Sequence, residues 1–339
     1  MKEIEKIIGK DFNGVISISK DGQSVFKKAY GYADLPNKRP NQTDTRFATA
    51  SAGKAFVAAA IMRLIEDDKL SLDSCIGDIL DFDLKEISQK ITVKQLLNHT
   101  SGIPDYFDES VMEEYAELWI NFPNYRVRAS TDLLPLFIDK PMMYNPGEKF
   151  QYNNTGYVVL GLVVEQVTGV PFDEFLSKAI FEPCGMSGTG YYELDRLPAC
   201  CANAYIHDEA RDEYYTNIYS VDAKGTGAGG AFTTADDVEC FWTHLLKGEI
   251  VSKETAAQML APQVESKEYG FGFWLDGKLP YFQGSDPGVS FMSSHDGNGL
   301  FVCVISNLGD DVWEIHEEIC EVFANMQRTT CGCSYQTTL

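Results

Sequence analysis

Thr49-Ala50-Ser51-Ala52-Gly53-Lys54-Ala55-Phe56-Val57-Ala58-Ala59-Ala60-Ile61-Met62 is the stretch on which the reading of this 339-residue chain turns. From Ser51 to Asp67 it reads as a long, alanine-rich apolar helix. Residues i and i+3 of a helix share a face, so Lys54 can reach the Ser51 hydroxyl. A serine hydroxyl is a poor nucleophile until something takes its proton, and an amine can do so only when neutral. The helix N-terminus offers free amides to a developing anion, and its dipole disfavours a second positive charge on Lys54. To act as a base near neutral pH, Lys54 must lose about three units from an ordinary value of about 10.4, or about 4 kcal/mol, which burial against an apolar helix can supply. The blander reading is a helix-capping serine beside a snorkelling lysine. The same Ser-x-x-Lys spacing recurs at Ser17/Lys20 and Ser24/Lys27. Those pairs fall in predicted strands, where i and i+3 face opposite sides.

Working outward, a second cluster is Pro146-Gly147-Glu148-Lys149-Phe150-Gln151-Tyr152-Asn153-Asn154-Thr155-Gly156-Tyr157. In an extended turn Tyr152 and Asn154 project to one side. The phenol can relay a proton, and the amide can hold a substrate carbonyl or a lysine. Alternatively, Tyr152 is a half-buried aromatic and Asn154 a helix cap, and Tyr215-x-Asn217 repeats the spacing as a decoy. The third cluster is Tyr281-Phe282-Gln283-Gly284-Ser285-Asp286-Pro287-Gly288-Val289-Ser290. A glycine beside a strand permits close approach to the backbone, and an amide from this edge could complete an oxyanion hole with that of Ser51. Asp-Pro-Gly equally marks a plain turn between two strands.

Around these clusters the chain shows strand signals first, helices in the middle and strands last. Gly14–Ser19 and Ser24–Tyr30 read as a hairpin across Lys20-Asp21-Gly22. Val93–His99, Tyr157–Thr168, Phe172–Ile180 and Thr234–Leu246 read as helices. The acidic, aromatic text between Gly102 and about Ile138 reads as a lid or pocket wall. Ala202–Ile206, Tyr214–Tyr219, Tyr269–Leu275, Val289–Ser293 and Leu300–Asn307 read as strands, and a last helix runs from about Asp311 to Met326. One sheet built from both chain ends, with a helical lobe inserted, is the implied architecture. The expected units are a sheet lobe of residues 1–60 and 216–327, a helical lobe of 61–215, and a disordered polar tail, 328–339.

Composition narrows the function classes. The chain is 44% hydrophobic and 23% charged, with 50 acidic against 28 basic side chains and a formal charge of −22. Such a surface repels phosphate backbones and anionic lipid, so neither nucleic acid nor membrane is expected as a partner. The longest apolar runs, Ala55–Met62 and Tyr157–Val164, are far too short for a bilayer span. The opening MKEIEKIIGKDF is not a secretory signal, and a cytoplasmic location is expected. Nine cysteines without framework spacing suit reduced thiols. Cys331-Gly-Cys333 lacks a nearby second pair or histidine, so no metal is expected there. None of the five histidines forms a metal-ligand pair, and His99, at a helix end, reads as structural. No nucleophile elbow, Walker loop or dinucleotide fingerprint occurs in a strand–turn–helix context. No cofactor is expected.

Three clusters in this order and at these distances resemble the serine β-lactamase and penicillin-binding-protein family, whose Ser-x-x-Lys element is a known catalytic motif. The resemblance is greatest to the class C-like branch, which includes esterases, D-amino-acid peptidases and carboxypeptidases. It extends through Leu96–Pro104, Phe150–Gly161 and Gly229–Asp237, and covers residues 10 to 326. It implies an α/β (α+β) fold, an antiparallel sheet flanked by the N- and C-terminal helices, with an inserted, mostly helical lobe. Ser51 is then the nucleophile, and Lys54 and Tyr152 share the proton work. Asn154 orients the acyl group, and the amides of Ser51 and Ser285 form the oxyanion hole. The family's third motif usually begins with lysine or histidine, then any residue and glycine; here the triplet is Phe282-Gln283-Gly284. The expectation is a serine acyl hydrolase for a small ester or amide, with Phe282 in place of the cation that would grip a carboxylate. A true β-lactamase or D-amino-acid peptidase is the alternative, and a ligand-binding pseudoenzyme the alternative of another class. Oligomeric state is not legible.

Overall fold

The computed structural model describes residues 3–266 and 268–332. Six strands, β1 (Gly14–Lys20), β2 (Gln23–Tyr30), β3 (Trp274–Asp276), β4 (Leu279–Asp286), β5 (Val289–His295) and β6 (Leu300–Ser306), form one sheet in the order β2-β1-β6-β5-β4-β3. Every neighbouring pair is antiparallel. The first hairpin closes through Asp21 and Gly22, both at positive φ (54° and 73°), a two-residue loop whose twist matches its strands. The central strand β6 belongs to the C-terminal part of the chain and pairs with β1 from the N-terminal part, so the two ends of the chain make one sheet.

Period-two alternation divides the sheet's side chains between two cores. Ile16, Ile18, Val302 and Val304 point to a layer made by α1 (Ile4–Ile7) and α6 (Val312–Gly332), through Ile4, Val312 and Ile319. Phe282, Phe291, Phe301 and Ile305 point the other way, into a larger core. That core takes in α2 (Lys54–Glu66), α3 (Val93–Leu97), α4 (Asn154–Thr168) and α5 (Ala235–Lys247) without interruption. The N-terminal helix is only four residues long, and the C-terminal one is longer than the expected Asp311–Met326. Its backbone continues past Met326 to Gly332, so the start of the expected disordered tail is helical; the remainder, with Cys333, lies outside the described residues.

The expected lobe boundaries at 60 and 215 fall inside α2 and inside the strand Glu213–Thr216. Neither is a linker, and the continuous core explains why no composition shift marks them. The strand signals at 202–206, 214–219 and 269–275 shrink to a two-stranded ribbon, Tyr205–Asp208 with Glu213–Thr216, and to the short edge strand β3. No single helix among the described residues is long and apolar enough to cross a membrane, and the apolar length of α4 is buried from Asn154 to Val164. Among the described residues no cluster of three or more His, Cys, Asp or Glu could hold a metal ion.

Candidate active site

Ser51 does not lie on the α-helix itself. It occupies a 3-10 turn, Ala50–Gly53, that leads into α2 at Lys54. Three residues per turn eclipse positions i and i+3, so the tighter turn sets Lys54 over Ser51 more directly than an α-helix would. The turn is entered through Ala50 at φ 47°, a left-handed conformation costly for alanine. It is clamped from the sheet by β4. Beyond Tyr281 the edge strand β3 has ended, and a Cβ on Gly284 would stand 2.2 Å from Thr49 O and 2.7 Å from Ser51 N. Only glycine allows that approach.

Lys54 is 2% exposed. Its Nζ donates to Asn154 Oδ1 at 2.9 Å and Ala228 O at 2.6 Å, and lies 2.8 Å from Ser51 Oγ. A carbonyl and an amide oxygen only accept, so they take two N–H bonds in either charge state. The third position faces a hydroxyl, which accepts from the ammonium or donates to the lone pair of the neutral amine. Burial pushes the Lys54 amine down to about 8, against the pull of Glu109, Asp105 and Asp286. Tyr152 lies beneath the same ammonium, its ring centroid 4.9 Å from Nζ. Its phenol is held well above 10 by burial, then by Tyr269 and Glu109, and a hydrogen bond with Ser51 opposes the rise. At neutral pH the phenol therefore carries its proton, and the lysine is the group nearer to losing one.

The Tyr152–Asn154 segment is fixed from several sides. Tyr152 stacks on Trp274 at 5.6 Å and against His99 at 4.5 Å. His99 is buried, its Nδ1 accepts from Asn153 N at 3.1 Å, and burial and the Lys54 charge depress its protonation well below 6.5. A neutral imidazole adds no second cation beneath the phenol, in keeping with a structural role. The cap of α4 is Asn153, whose side chain accepts from Gly156 N. Asn154 is thus not the cap, and its oxygen is free for Lys54. Asp105, absent from the sequence reading, accepts from the amides of Asn154 and Thr155 at 2.8 and 3.0 Å. Buried against that helix end, its carboxyl is raised to about 6.

Ser51, Tyr152, Asn154, Gln283, Gly284 and Ser285 all line one cavity of about 830 Å³. Phe282 does not. It is 1% exposed and its ring packs among Phe56, Phe241, Trp242, Phe273 and Phe291 at centroid distances of 5.4–6.1 Å. Alternation along β4 puts it on the face of Gly284 but deeper, under the Ser51 turn rather than in the opening. The expectation that Phe282 meets substrate is corrected accordingly. Gln283 faces the opening and accepts from Trp313 Nε1 at 2.6 Å. The decoys lie elsewhere: Ser17 is buried within β1, Lys27 pairs with Asp236, and Tyr215 is half exposed on the ribbon. The acidic text after Gly102 does line the cavity, through Tyr106, Glu109 and Tyr115, joined by Asp222 and Asp286 from two other segments. No sequence signal singled out those two aspartates, because a lone Asp in a turn is common.

The Beta-lactamase family model matches residues 5–309. A penicillin-binding protein from Bacillus halodurans, known from its crystal structure, superposes with a TM-score of 0.89 at 36% identity, covering 94% of this chain and 99% of that one. Penicillin-binding protein 4* of Bacillus subtilis (strain 168) is 28% identical over 305 residues, 83% of this chain and 64% of that protein. The chain thus spans just under two thirds of that relative's length. D-amino acid amidase from Ochrobactrum anthropi SV3, 22% identical with a TM-score of 0.78 and covering 96% of this chain and 99% of its own, is a likeness of fold alone.

Proposed function

This chain belongs to the beta-lactamase family, and from that premise we propose that it is a serine acyl hydrolase that works through an acyl-Ser51 intermediate on a small ester or amide. The observation that carries the reading is the buried Lys54 amine, 2.8 Å from Ser51 Oγ with its charge made costly by desolvation.

Neutral Lys54 takes the Ser51 proton as Oγ attacks the acyl carbon. The oxyanion settles between the amides of Ser51 and Ser285. Tyr152 gives its proton to the leaving oxygen or nitrogen and is reprotonated from the Lys54 ammonium. Water then enters, yields its proton to Lys54 and attacks the acyl carbon; the C–Oγ bond breaks and the Lys54 ammonium returns that proton to Oγ, 2.8 Å away. Asn154 holds Lys54 through its oxygen, and its NH2 reaches toward Phe107 O and Glu109.

A second reading, a penicillin-reactive D-peptidase or β-lactamase, is favoured by the names of the penicillin-binding relatives. Against it stands the cavity lining, which among the described residues contains no lysine, arginine or histidine to meet a carboxylate. The test is labelling with a fluorophosphonate, followed by peptide mapping. The expected result is one adduct, on Ser51, with both labelling and p-nitrophenyl ester turnover abolished in Ser51→Ala. Adducts on Ser17 or Ser24, or turnover retained in the variant, would overturn the assignment.

A further inference from the structure

We propose that Asp105 is a positioning residue for the proton transfer at Ser51: its carboxylate holds the leading amides of α4, fixes the side chain by which Asn154 grips Lys54, and supplies a negative charge to the Lys54 amine. The proposal rests on the acyl-Ser51 reading and adds what holds its base in place.

Asp105 is 5% exposed and does not line the opening. Its Oδ2 accepts from Asn154 N at 2.8 Å, and its Oδ1 accepts from Thr155 N at 3.0 Å and Thr155 Oγ1 at 3.1 Å. Both oxygens are thus committed to the start of α4. A single residue links this carboxylate to the base. Asn154 binds the acid through its backbone amide and presents Oδ1 to Lys54 Nζ at 2.9 Å.

Neither of the plain duties of such an acid requires it here. A helix start leaves N–H groups unpaired, and a neutral side chain serves well as a cap. Asn153 already caps α4 through Gly156 N. The loop 99–106 is already stapled to the same helix end. Asn153 N donates to His99 Nδ1 at 3.1 Å, Asn153 Nδ2 to Ile103 O at 2.8 Å, and Tyr106 N to Thr155 Oγ1 at 2.9 Å. A buried carboxylate costs desolvation that a neutral side chain avoids. Burial raises this one to about 6, against the pull of the Asn154 and Thr155 amides, the Thr155 hydroxyl and Lys54. What a carboxylate adds over an amide is acceptance on both oxygens, and charge.

Three acids act on the Lys54 amine, Glu109, Asp105 and Asp286. Glu109 is exposed and Asp286 only partly buried, whereas Asp105 is buried and bonded on both oxygens. His99, Tyr152 and Tyr157 also face the amine, and all three are neutral at neutral pH. Tyr106, Tyr144 and Tyr152 surround Asp105, and Lys140 Nζ donates to its backbone carbonyl at 3.1 Å. Around pH 8 the Asp105 carboxylate is ionised and favours the Lys54 ammonium. Without that charge, Lys54 becomes the neutral base at lower pH.

The experiment measures the pH profile of p-nitrophenyl acetate turnover for the full chain, for Asp105→Asn, for Asn154→Ala and for the double variant. Cooperative urea unfolding checks the fold of each, and fluorophosphonate labelling of Ser51 is run on the wild type. Asp105→Asn keeps one acceptor and turns an NH2 toward an amide N–H. Its high-pH plateau of kcat should fall at least about tenfold through misplacement of Asn154 and Lys54. Its acid limb should move down by about one pH unit, as loss of a nearby opposite charge requires. In the Asn154→Ala background the same change should lower the plateau by less than about twofold, because the two residues act as one unit. A lowered plateau with an unmoved limb, a moved limb with an unchanged plateau, or additive losses in the double variant would overturn the proposal and leave the serine mechanism standing. Wild type that is not labelled at Ser51 overturns both. Should Asp105→Asn fail to fold, Asp105→Glu decides: it keeps the charge and changes the geometry, so the plateau falls while the limb stays at about 8. A wild-type plateau or a displaced limb in that variant, or failure of both variants to fold, assigns the carboxylate to the fold alone and overturns the proposal.

Discussion

At the scale of the residue, the account depends on Lys54 being poised between two charge states. Its amine is held at about 8 by burial, with Glu109, Asp105 and Asp286 pulling the other way. The base form is the neutral one, so activity belongs to the high-pH side. For a neutral ester, kcat/KM should climb about tenfold per pH unit below this value and level off above it, while Tyr152, held well above 10, stays protonated throughout. A pH–rate profile with a limb near 6 instead would assign the base to another group. Lys54→Arg keeps the charge but cannot deprotonate Ser51, and a loss of at least about a hundredfold in kcat is expected. Tyr152→Phe should be severely impaired as well, whereas Tyr215→Phe, on the exposed ribbon, should behave as wild type in the same assay.

At the scale of the element, β4 shows where sequence reasoning succeeds and where it slips. Gly284 and Ser285 could be assigned to the Ser51 edge because glycine beside a strand signals close approach, and the Gly284 backbone does press on that turn. Phe282 was placed by motif position, and a motif gives order along a strand, not depth. The ring is part of an aromatic core that includes Phe56 and Trp242. Phe282→Ala should therefore cost about 3–5 kcal/mol of stability, read as a shift of the urea midpoint. Phe282→His should lose stability without gaining any preference for a cephalosporin over an ester. A gained preference would return this side chain to the substrate site. The cap of α4 slipped for a related reason. Asn153 and Asn154 are chemically equal in the sequence, and only the extended backbone of Asn153 makes it the cap.

At the scale of the whole molecule, the order of strand, helix and strand signals was enough to join both chain ends in one sheet, because long alternating segments leave few ways to bury their apolar faces. Lobe boundaries were not legible, since one core runs through sheet and helices alike. The acids of the cavity were not legible either. Glu109, Asp222 and Asp286 are more than sixty residues apart in sequence and meet only through the fold. The topology makes a strong statement about integrity. β6 lies between β1 and β5, so a chain ending before Leu300 loses the middle of its sheet. Such a truncation should show no cooperative unfolding by circular dichroism; a cooperative transition would mean that the helical part folds without the sheet's centre.

All three scales meet in one bond, the ester between a substrate acyl group and Ser51 Oγ. The most direct measurement is acid quenching during p-nitrophenyl acetate turnover, followed by peptide mass mapping of wild type and Lys54→Arg. The account predicts one acetyl group on the peptide containing Ser51 in the wild type and none above background in the variant. An acetyl group on any other residue, or turnover with no acetylated peptide at all, would contradict it.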